Sequence, residues 1–300
     1  MTKNNMDAKG TGTILSCIGG IYSVDCSSKI YKGKAKGTFK NLHIKPVAGD
    51  ECEFDFIPGE NDDIYVTKIY DRTSLLNRPS VANLDTIFIT FSPTSPKVET
   101  LNVDKQIFAA IKNNVKPVLL ITKYELDKEY SDELYKIYSP YFKMFLTSSN
   151  ENIGTDELKK YIEKETNKCA FSGPSGVGKS TLINMMFPQF SLKTGELSKK
   201  IQRGKNTTRE TTLFKILDNH YICDTPGFTS FDVFYDKKND EDVLYNAYPE
   251  ISKYKDSCLW RNCTHTKETG CAILDSIKNG LIDQKRYDNY IKIRENIIEK

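Results

Sequence analysis

Hydrophobic and polar positions change rhythm near residue 85 and again near residue 234. Before the first break, short segments rich in Val, Ile, Tyr and Phe (Gly12–Ser16, Ile21–Val24, Glu51–Phe56, Tyr65–Ile69) are punctuated by Gly19-Gly20, Gly49-Asp50 and Pro58-Gly59. That spacing predicts strands and tight turns in a small β-barrel, OB-fold or SH3-like. After the break, apolar strands and helical patterns alternate. Asp85–Phe91, Pro117–Thr122 and Lys143–Thr147 read as strands, with a helix over about Asn102–Asn113 and another from Thr155, whose hydroxyl suits an N-cap. Cys169–Ser172 leads into a glycine-rich loop and a helix that must stop before Pro188. Thr212–Leu217 and Tyr221–Asp224 pair as a hairpin around Asp218-Asn219. This alternation implies a mostly parallel sheet covered on both faces. The remainder is helical and irregular, and ends in a charged helix whose Tyr287, Tyr290, Ile291, Ile293 and Ile297 pack against the body. The predicted fold is therefore α/β, with domains at 1–73 (barrel), 74–234 (strand–helix domain) and 235–300 (helical C-terminal domain).

No signal-peptide core opens the chain and no run approaches the ~18 apolar residues of a membrane span. A cytoplasmic location without membrane partners follows as the expectation, with thiols kept reduced. A net charge of +3 is too small to argue for nucleic-acid binding by itself. Of eight cysteines, Cys17, Cys26, Cys52, Cys169 and Cys223 are scattered through apolar surroundings and read as small hydrophobes.

Residues 173–180 read GPSGVGKS, the phosphate-binding G-x-x-x-x-G-K-[ST] pattern between a strand and a helix. The residues of this loop, Gly173, Pro174, Ser175, Gly176, Val177, Gly178, Lys179 and Ser180, with Thr181 after it, can turn successive N–H groups onto phosphate oxygens. Lys179 reaches the β- and γ-phosphates and Ser180 offers its hydroxyl to Mg²⁺. Asp224-Thr225-Pro226-Gly227 at a strand end is the D-x-x-G form used by GTPases, with Asp224 toward Mg²⁺ and the Gly227 amide toward the γ-phosphate. Between them lies GKNTTRET, where Thr207 or Thr208 can complete the Mg²⁺ shell in a loop that orders on GTP.

No guanine-reading N-K-x-D lies after the phosphate loop. Upstream, Thr122-Lys123-Tyr124-Glu125 ends one apolar strand and Thr147-Ser148-Ser149 ends the next, so Ser148 and Ser149 can cap the base. The base-reading segments thus precede the phosphate-reading ones, a circular permutation. Asp127 is a second carboxylate near the same position. In the C-terminal region, CLWRNCTHTKETGC places Cys258, Cys263, His265 and Cys271 in C-x4-C-x-H-x5-C, a closed ligand set for one structural zinc. Six lysines (Lys29, Lys32, Lys34, Lys36, Lys40, Lys45) and no acid lie between Ser27 and Gly49, with Phe39 and His43 interleaved. The stretch reads as an RNA-phosphate contact, through Lys32, Lys34, Lys36 and Lys40 above all, or as a solvated loop.

Together these motifs resemble the ribosome small subunit-dependent GTPase A family. The likeness runs through VAGD (47–50), LLNRPSVANLD (75–85), TKYE, the phosphate loop, TTRE, DTPGF and the zinc array followed by RYDNYIK. It implies an N-terminal OB-fold, a circularly permuted GTPase domain and a zinc-binding C-terminal domain. It further implies GTP hydrolysis with Mg²⁺, stimulated by the small ribosomal subunit through its 16S rRNA, in late subunit maturation by a monomer. The family generally has a hydrolysis-assisting histidine where this chain has Asn206, and Phe228 stands where many GTPases carry a water-orienting glutamine. With Lys179 and Thr208 intact, the expectation is weakened rather than absent hydrolysis. The alternative is a GTP/GDP-gated RNA-binding assembly switch with vestigial hydrolysis. The hydrophobic Phe228 is shared with the family; the departures, Asn206 and Glu125, are those of a divergent member or paralogue. Lys199, Lys200, Arg203, Lys205 and Arg209 in the switch loop offer a route by which RNA presses on the nucleotide sensor.

Overall fold

The computed structural model describes residues 9–37, 39, 44–57, 63–77, 79–190, 211–224, 236 and 240–298, with the side chains of Asp224 and Ile298 excepted. The expected switch residues Asn206, Thr207, Thr208, Gly227 and Phe228, the basic residues 199–209, and Lys40 and His43 lie outside the described residues. The chain divides into two compact units.

The first unit opens with β1 (Lys9–Ile18), β2 (Ile21–Cys26), β3 (Lys29–Ala35), β4 (Glu51–Phe56) and β5 (Asp63–Ile69). They run β1-β2-β3-β5-β4, and β4 returns to pair antiparallel with β1, so the sheet closes into a five-stranded barrel; β6 (Leu75–Asn77) and β7 (Ser80–Ala82) follow as a separate antiparallel pair. That closure supports the OB-type reading over the SH3-like one. Ile14, Tyr22, Val24, Phe39, Cys52, Phe54, Ile64 and Val66 fill its core. Phe39 is thus a core side chain, not part of the RNA-facing stretch its place among lysines suggested. The sequence reading also passed over β3, where from Lys32 onward lysines alternate with small residues. Lys32, Lys34 and, just past the strand, Lys36 are exposed while the intervening Gly33 and Ala35 are part-buried. A Cβ on Gly33 would lie 1.7 Å from the Ile64 carbonyl oxygen, so only glycine permits the parallel β3–β5 approach.

In the same unit, β11 (Lys168–Ser172) runs parallel to β13 (His220–Asp224), and β12 (Thr212–Leu217) is antiparallel to β13. Asn219 takes the positive φ (61°) that the turn requires. This hairpin is fastened to the barrel: Ser16 pairs with Thr212, and the Tyr221 hydroxyl donates to the buried Asp25 carboxylate at 2.7 Å. Lys215 pairs with the same carboxylate at 3.1 Å.

The second unit holds β8 (Thr86–Phe91), β9 (Lys116–Ile121) and β10 (Met144–Leu146) in the order β10-β9-β8. Every residue of β8 is buried, as expected of a strand covered on both faces. α1 (Thr100–Lys112) precedes β9, and α2 (Lys128–Tyr138) begins at Asp127, whose side chain accepts from the Tyr130 N–H. α3 (Thr155–Glu165) follows β10, with its residues from Glu157 onward counted in the first unit; Thr155 is its first residue, and the hydroxyl lies 3.4 Å from the Ile153 carbonyl. After the phosphate loop comes α4 (Lys179–Met186), and the C-terminal part carries α5 (Asp240–Ala247), α6 (Pro249–Ser252), α7 (Ala272–Lys278) and α8 (Gln284–Ile298). Tyr290, Ile293 and Ile297 of α8 are buried, matching the apolar stripe.

A fully buried ionic cluster ties α8 to α1 and α6. The Arg286 guanidinium donates to Asp104 at 2.5 Å, Glu250 at 2.7 Å and the Ala247 carbonyl at 2.9 Å, and lies over the Tyr248 ring. Asp104 also accepts from Tyr138, Tyr248 and Asn289. No helix among the described residues is long and apolar enough to cross a membrane.

Candidate functional site

The phosphate loop begins where β11 ends. Gly173, Gly176 and Gly178 adopt φ of 134°, 78° and 111°, which favour glycine. A Cβ on Gly173 would also sit 2.1 Å from the Thr90 carbonyl oxygen, so this residue lets the loop cross the end of β8. Val177 is buried and anchors the loop's middle. Pro174 and Ser175 complete the bend ahead of it, and Ser180 and Thr181 form the next positions of α4 after Lys179. The Lys179 ammonium donates to the carbonyls of Gly173 (2.6 Å) and Pro174 (3.0 Å), folded over the loop it serves. The N–H groups at the start of α4 and the helix dipole favour an anion here.

The base-side segment is bolted to that loop. Thr122 is buried, and its hydroxyl donates to the Val177 carbonyl at 2.6 Å. Thr122 therefore serves as a brace for the phosphate loop, a task for which one donor suffices. Lys123 adopts a left-handed backbone (φ 55°) and donates to the Gly176 carbonyl at 2.8 Å and the Ser95 carbonyl at 2.6 Å. The Tyr124 N–H donates to the Thr147 carbonyl at 3.1 Å, joining the TKYE turn to the loop after β10. In that loop Ser148 is buried and Ser149 part-buried.

Glu125 carries the carboxylate. One oxygen accepts from the Asn150 amide at 2.8 Å, and the other, Oε2, is buried without a hydrogen-bond partner among the described residues. Burial pushes the Glu125 pKa up. The nearby Ser148 hydroxyl, its own backbone N–H, Asn150 and the Lys123 charge outweigh that and hold it below the usual carboxylate range. The group is ionised at neutral pH. Asp127 is committed to capping α2 and is not the alternative reader.

Separately, Cys258, Cys263, His265 and Cys271 bring their ligand atoms within 4.8 Å of one another. Cys258 Sγ lies 3.5 Å from His265 Nδ1 and 3.9 Å from Cys271 Sγ, and Cys271 Sγ lies 3.6 Å from the same nitrogen. Zinc bonds of about 2.3 Å to sulfur and 2.0 Å to nitrogen set tetrahedral ligand separations of roughly 3.5–3.8 Å, so the cluster has the size of a zinc site. Burial, with the positive charge of Arg294, lowers the His265 pKa and keeps the ring neutral, as a ligand must be. The Tyr287 hydroxyl donates to the His265 carbonyl at 2.7 Å, which links the cluster to α8.

Comparison with known proteins bears on this arrangement directly. A sequence model of the RsgA GTPase matches residues 69–234, and one of the RsgA N-terminal domain matches residues 11–64. The chain belongs to the RsgA GTPase family. It is 35% identical over 289 residues to a Staphylococcus aureus protein named small ribosomal subunit biogenesis GTPase RsgA, covering 94% of this chain and 96% of that one. A Limosilactobacillus reuteri protein of the same name is 36% identical, with coverage of 95% and 96%. Among solved structures, YjeQ from Thermotoga maritima superposes with a TM-score of 0.81 at 27% identity, over 97% of this chain and 99% of that one. YloQ, described as a circularly permuted GTPase, gives 0.76 at 26% identity, over 100% and 98%.

In this RsgA family member the phosphate loop, Thr122–Glu125 and Ser148-Ser149 converge within one compact unit. Asp224 ends β13, paired through its backbone with Thr212. Sequence reasoning missed Asn150. It sits one residue past the serine pair, and only the fold reveals that its amide faces Glu125.

If the four-residue cluster holds one structural zinc, stripping it with a strong chelator should release one zinc per chain. The melting temperature should fall by roughly 5–15 °C. Metal released into a colorimetric indicator, read alongside calorimetry, checks both; no released zinc and an unchanged transition would contradict it.

Proposed function

We propose that this chain is a GTP hydrolase that acts in biogenesis of the small ribosomal subunit, binding that subunit and assisting its late maturation. The observation that carries this reading is the joining of base and phosphate segments: Thr122 and Lys123 hold the carbonyls of Val177 and Gly176, and the Glu125 carboxylate stands beside them. One side of the site accepts donors from a base, and the other offers a lysine and helix N–H groups to phosphates. The GTPase relatives support the substrate assignment.

In the proposed site, Lys179 leaves the loop carbonyls for the β- and γ-phosphate oxygens and stabilises charge as the bond to the leaving group breaks. Ser180, Asp224 and Thr207 or Thr208 are the residues that would hold Mg²⁺. When bound, Mg²⁺ neutralises charge on the phosphate oxygens. Gly227 supplies an amide to the γ-phosphate, Asn206 orients the attacking water, and Ser148 and Ser149 cap the base. The zinc ligands serve structure alone, since four protein donors leave no position for substrate.

Domains at 1–73, 74–234 and 235–300, a monomeric state and a cytoplasmic location complete the reading. On the barrel, Lys32 and Lys34 of β3 and Lys36 just after it are exposed and are the proposed contacts to 16S rRNA, together with Lys40. In the sequence the β12–β13 hairpin falls between the switch segment and the D-x-x-G motif, and it is fastened to the barrel through Asp25. That gives the subunit a physical route to stimulate hydrolysis.

Phosphate release in the presence of small subunits, with large subunits as control, tests the reading. Turnover accelerated by small subunits alone is expected. Tight guanine-nucleotide binding without turnover would favour the nucleotide-gated switch. Because imidazole can share a proton where an amide cannot, Asn206→His is expected to raise turnover about tenfold. An unchanged or lower rate would show that residue 206 does not position the water.

A further inference from the structure

The base-reading carboxylate of this chain is a glutamate, one methylene longer than an aspartate, so it has an extra rotatable bond and more orientations to lose on binding. Guanine presents two adjacent donors, N1–H and the 2-amino group, and a carboxylate reads both only when its plane is fixed. Some group must supply that fixation.

The loop after β10 is built to do so. Ser148 and Ile153 exchange backbone hydrogen bonds at 3.1 and 3.0 Å, closing a tight loop, and the Ser148 hydroxyl accepts from the Glu151 N–H at 2.9 Å. Asn152 and Gly154 take positive φ (56° and 68°), and a Cβ on Gly154 would lie 2.0 Å from the Leu146 carbonyl oxygen. Lys128 pairs with Glu151 at 3.0 Å, tying the loop to the start of α2. Asn150 stands at the tip of this braced loop. Its amide holds Glu125 Oε1 at 2.8 Å, and Oε2 stays buried and unpartnered among the described residues.

We infer that Asn150 is a positioning residue for guanine selectivity: together with the neighbouring Ser148 hydroxyl, it fixes the longer Glu125 carboxylate in the plane in which it meets the N1–H and 2-amino donors. The Glu125–Asn150 pair thereby does the work of a single shorter carboxylate. Adenine, with an acceptor at N1, meets the carboxylate unfavourably, and hypoxanthine, lacking the 2-amino group, forfeits one bond. The inference rests on the reading of this site as a guanine-nucleotide site.

The test is competition of GDP, IDP and ADP against a fluorescent GDP analogue on the full-length protein and its Asn150→Ala variant. Wild type should prefer GDP to IDP by roughly tenfold or more and hardly bind ADP. Asn150→Ala should weaken GDP by roughly tenfold and IDP less, shrinking the GDP-to-IDP ratio several-fold, with the melting temperature of the nucleotide-free protein unchanged. Equal weakening of GDP and IDP, or no weakening, would overturn the positioning role while leaving the site reading intact. ADP binding to wild type as well as GDP would overturn the site reading and the inference with it. Glu125→Gln is the companion variant. It should lose the GDP preference whether or not Asn150 is present, so Asn150→Ala added to it should change the ratio no further; an additional drop would contradict the pairing.

Discussion

Replacing Lys179 with alanine should lower GTP turnover at least a hundredfold while leaving the protein folded. The ammonium donates to two carbonyls of its own loop, Gly173 and Pro174, and substrate phosphates are stronger acceptors than either. Removing one preorganised donor from a transition state of this kind costs on the order of 10²–10³ in rate. Losing the loop contacts costs no more than about 1–2 kcal/mol, since the loop is held independently by Thr122, Lys123 and the anchored Val177. Single-turnover phosphate release at saturating GTP, with a melting curve on the same sample, checks both parts. A rate within about tenfold of wild type would place the chemistry elsewhere.

The second large effect concerns stability. Arg286→Met removes one cation from a cluster in which Arg286, Asp104 and Glu250 are all almost wholly buried. Two carboxylates would then remain in a low-dielectric interior without their counter-ion, a loss of about 3–5 kcal/mol. For a chain of this size the melting temperature should fall by roughly 10 °C. The pH dependence has a definite sign. Burial pushes the Asp104 pKa up, and Arg286 is the main influence pulling it back. Without the arginine the folded-state value rises further above the unfolded one, so the native variant binds a proton more tightly than its unfolded chain. The deficit should therefore be largest at neutral pH and shrink as pH falls toward 5. Calorimetry at pH 7.5 and 5.5 measures this; a deficit that is constant or grows on acidification would show that the cluster does not behave as a charge-balanced unit.

This cluster also marks where sequence reading stopped. Asp104, Glu250 and Arg286 are far apart in the chain, and each looks like an ordinary helical surface residue until the helices pack. The same holds for the Asp25–Tyr221 link between barrel and hairpin. Local patterns travelled further: the phosphate loop, the hairpin around Asp218-Asn219 and the zinc spacing each depend on residues close together in sequence. They were read with nearly their observed limits. The β3 strand was missed because its alternation is lysine against small residues, and period 2 is sought with apolar side chains. Phe39 was misjudged for a related reason, since a lone aromatic among lysines gives no periodicity to say which way it points. At the base site, TKYE was recognisable, but the roles divided unexpectedly. Thr122 braces the phosphate loop, and the partner of Glu125 lies 25 residues away on a loop whose closure only the backbone reveals.

The measurement that tests the account most directly is multiple-turnover GTP hydrolysis by the purified protein, alone, with small ribosomal subunits, and with large subunits. The account predicts slow turnover alone, clear acceleration by small subunits and none by large ones, with ATP not consumed. Equal rates under all three conditions, or hydrolysis of ATP in place of GTP, would contradict it.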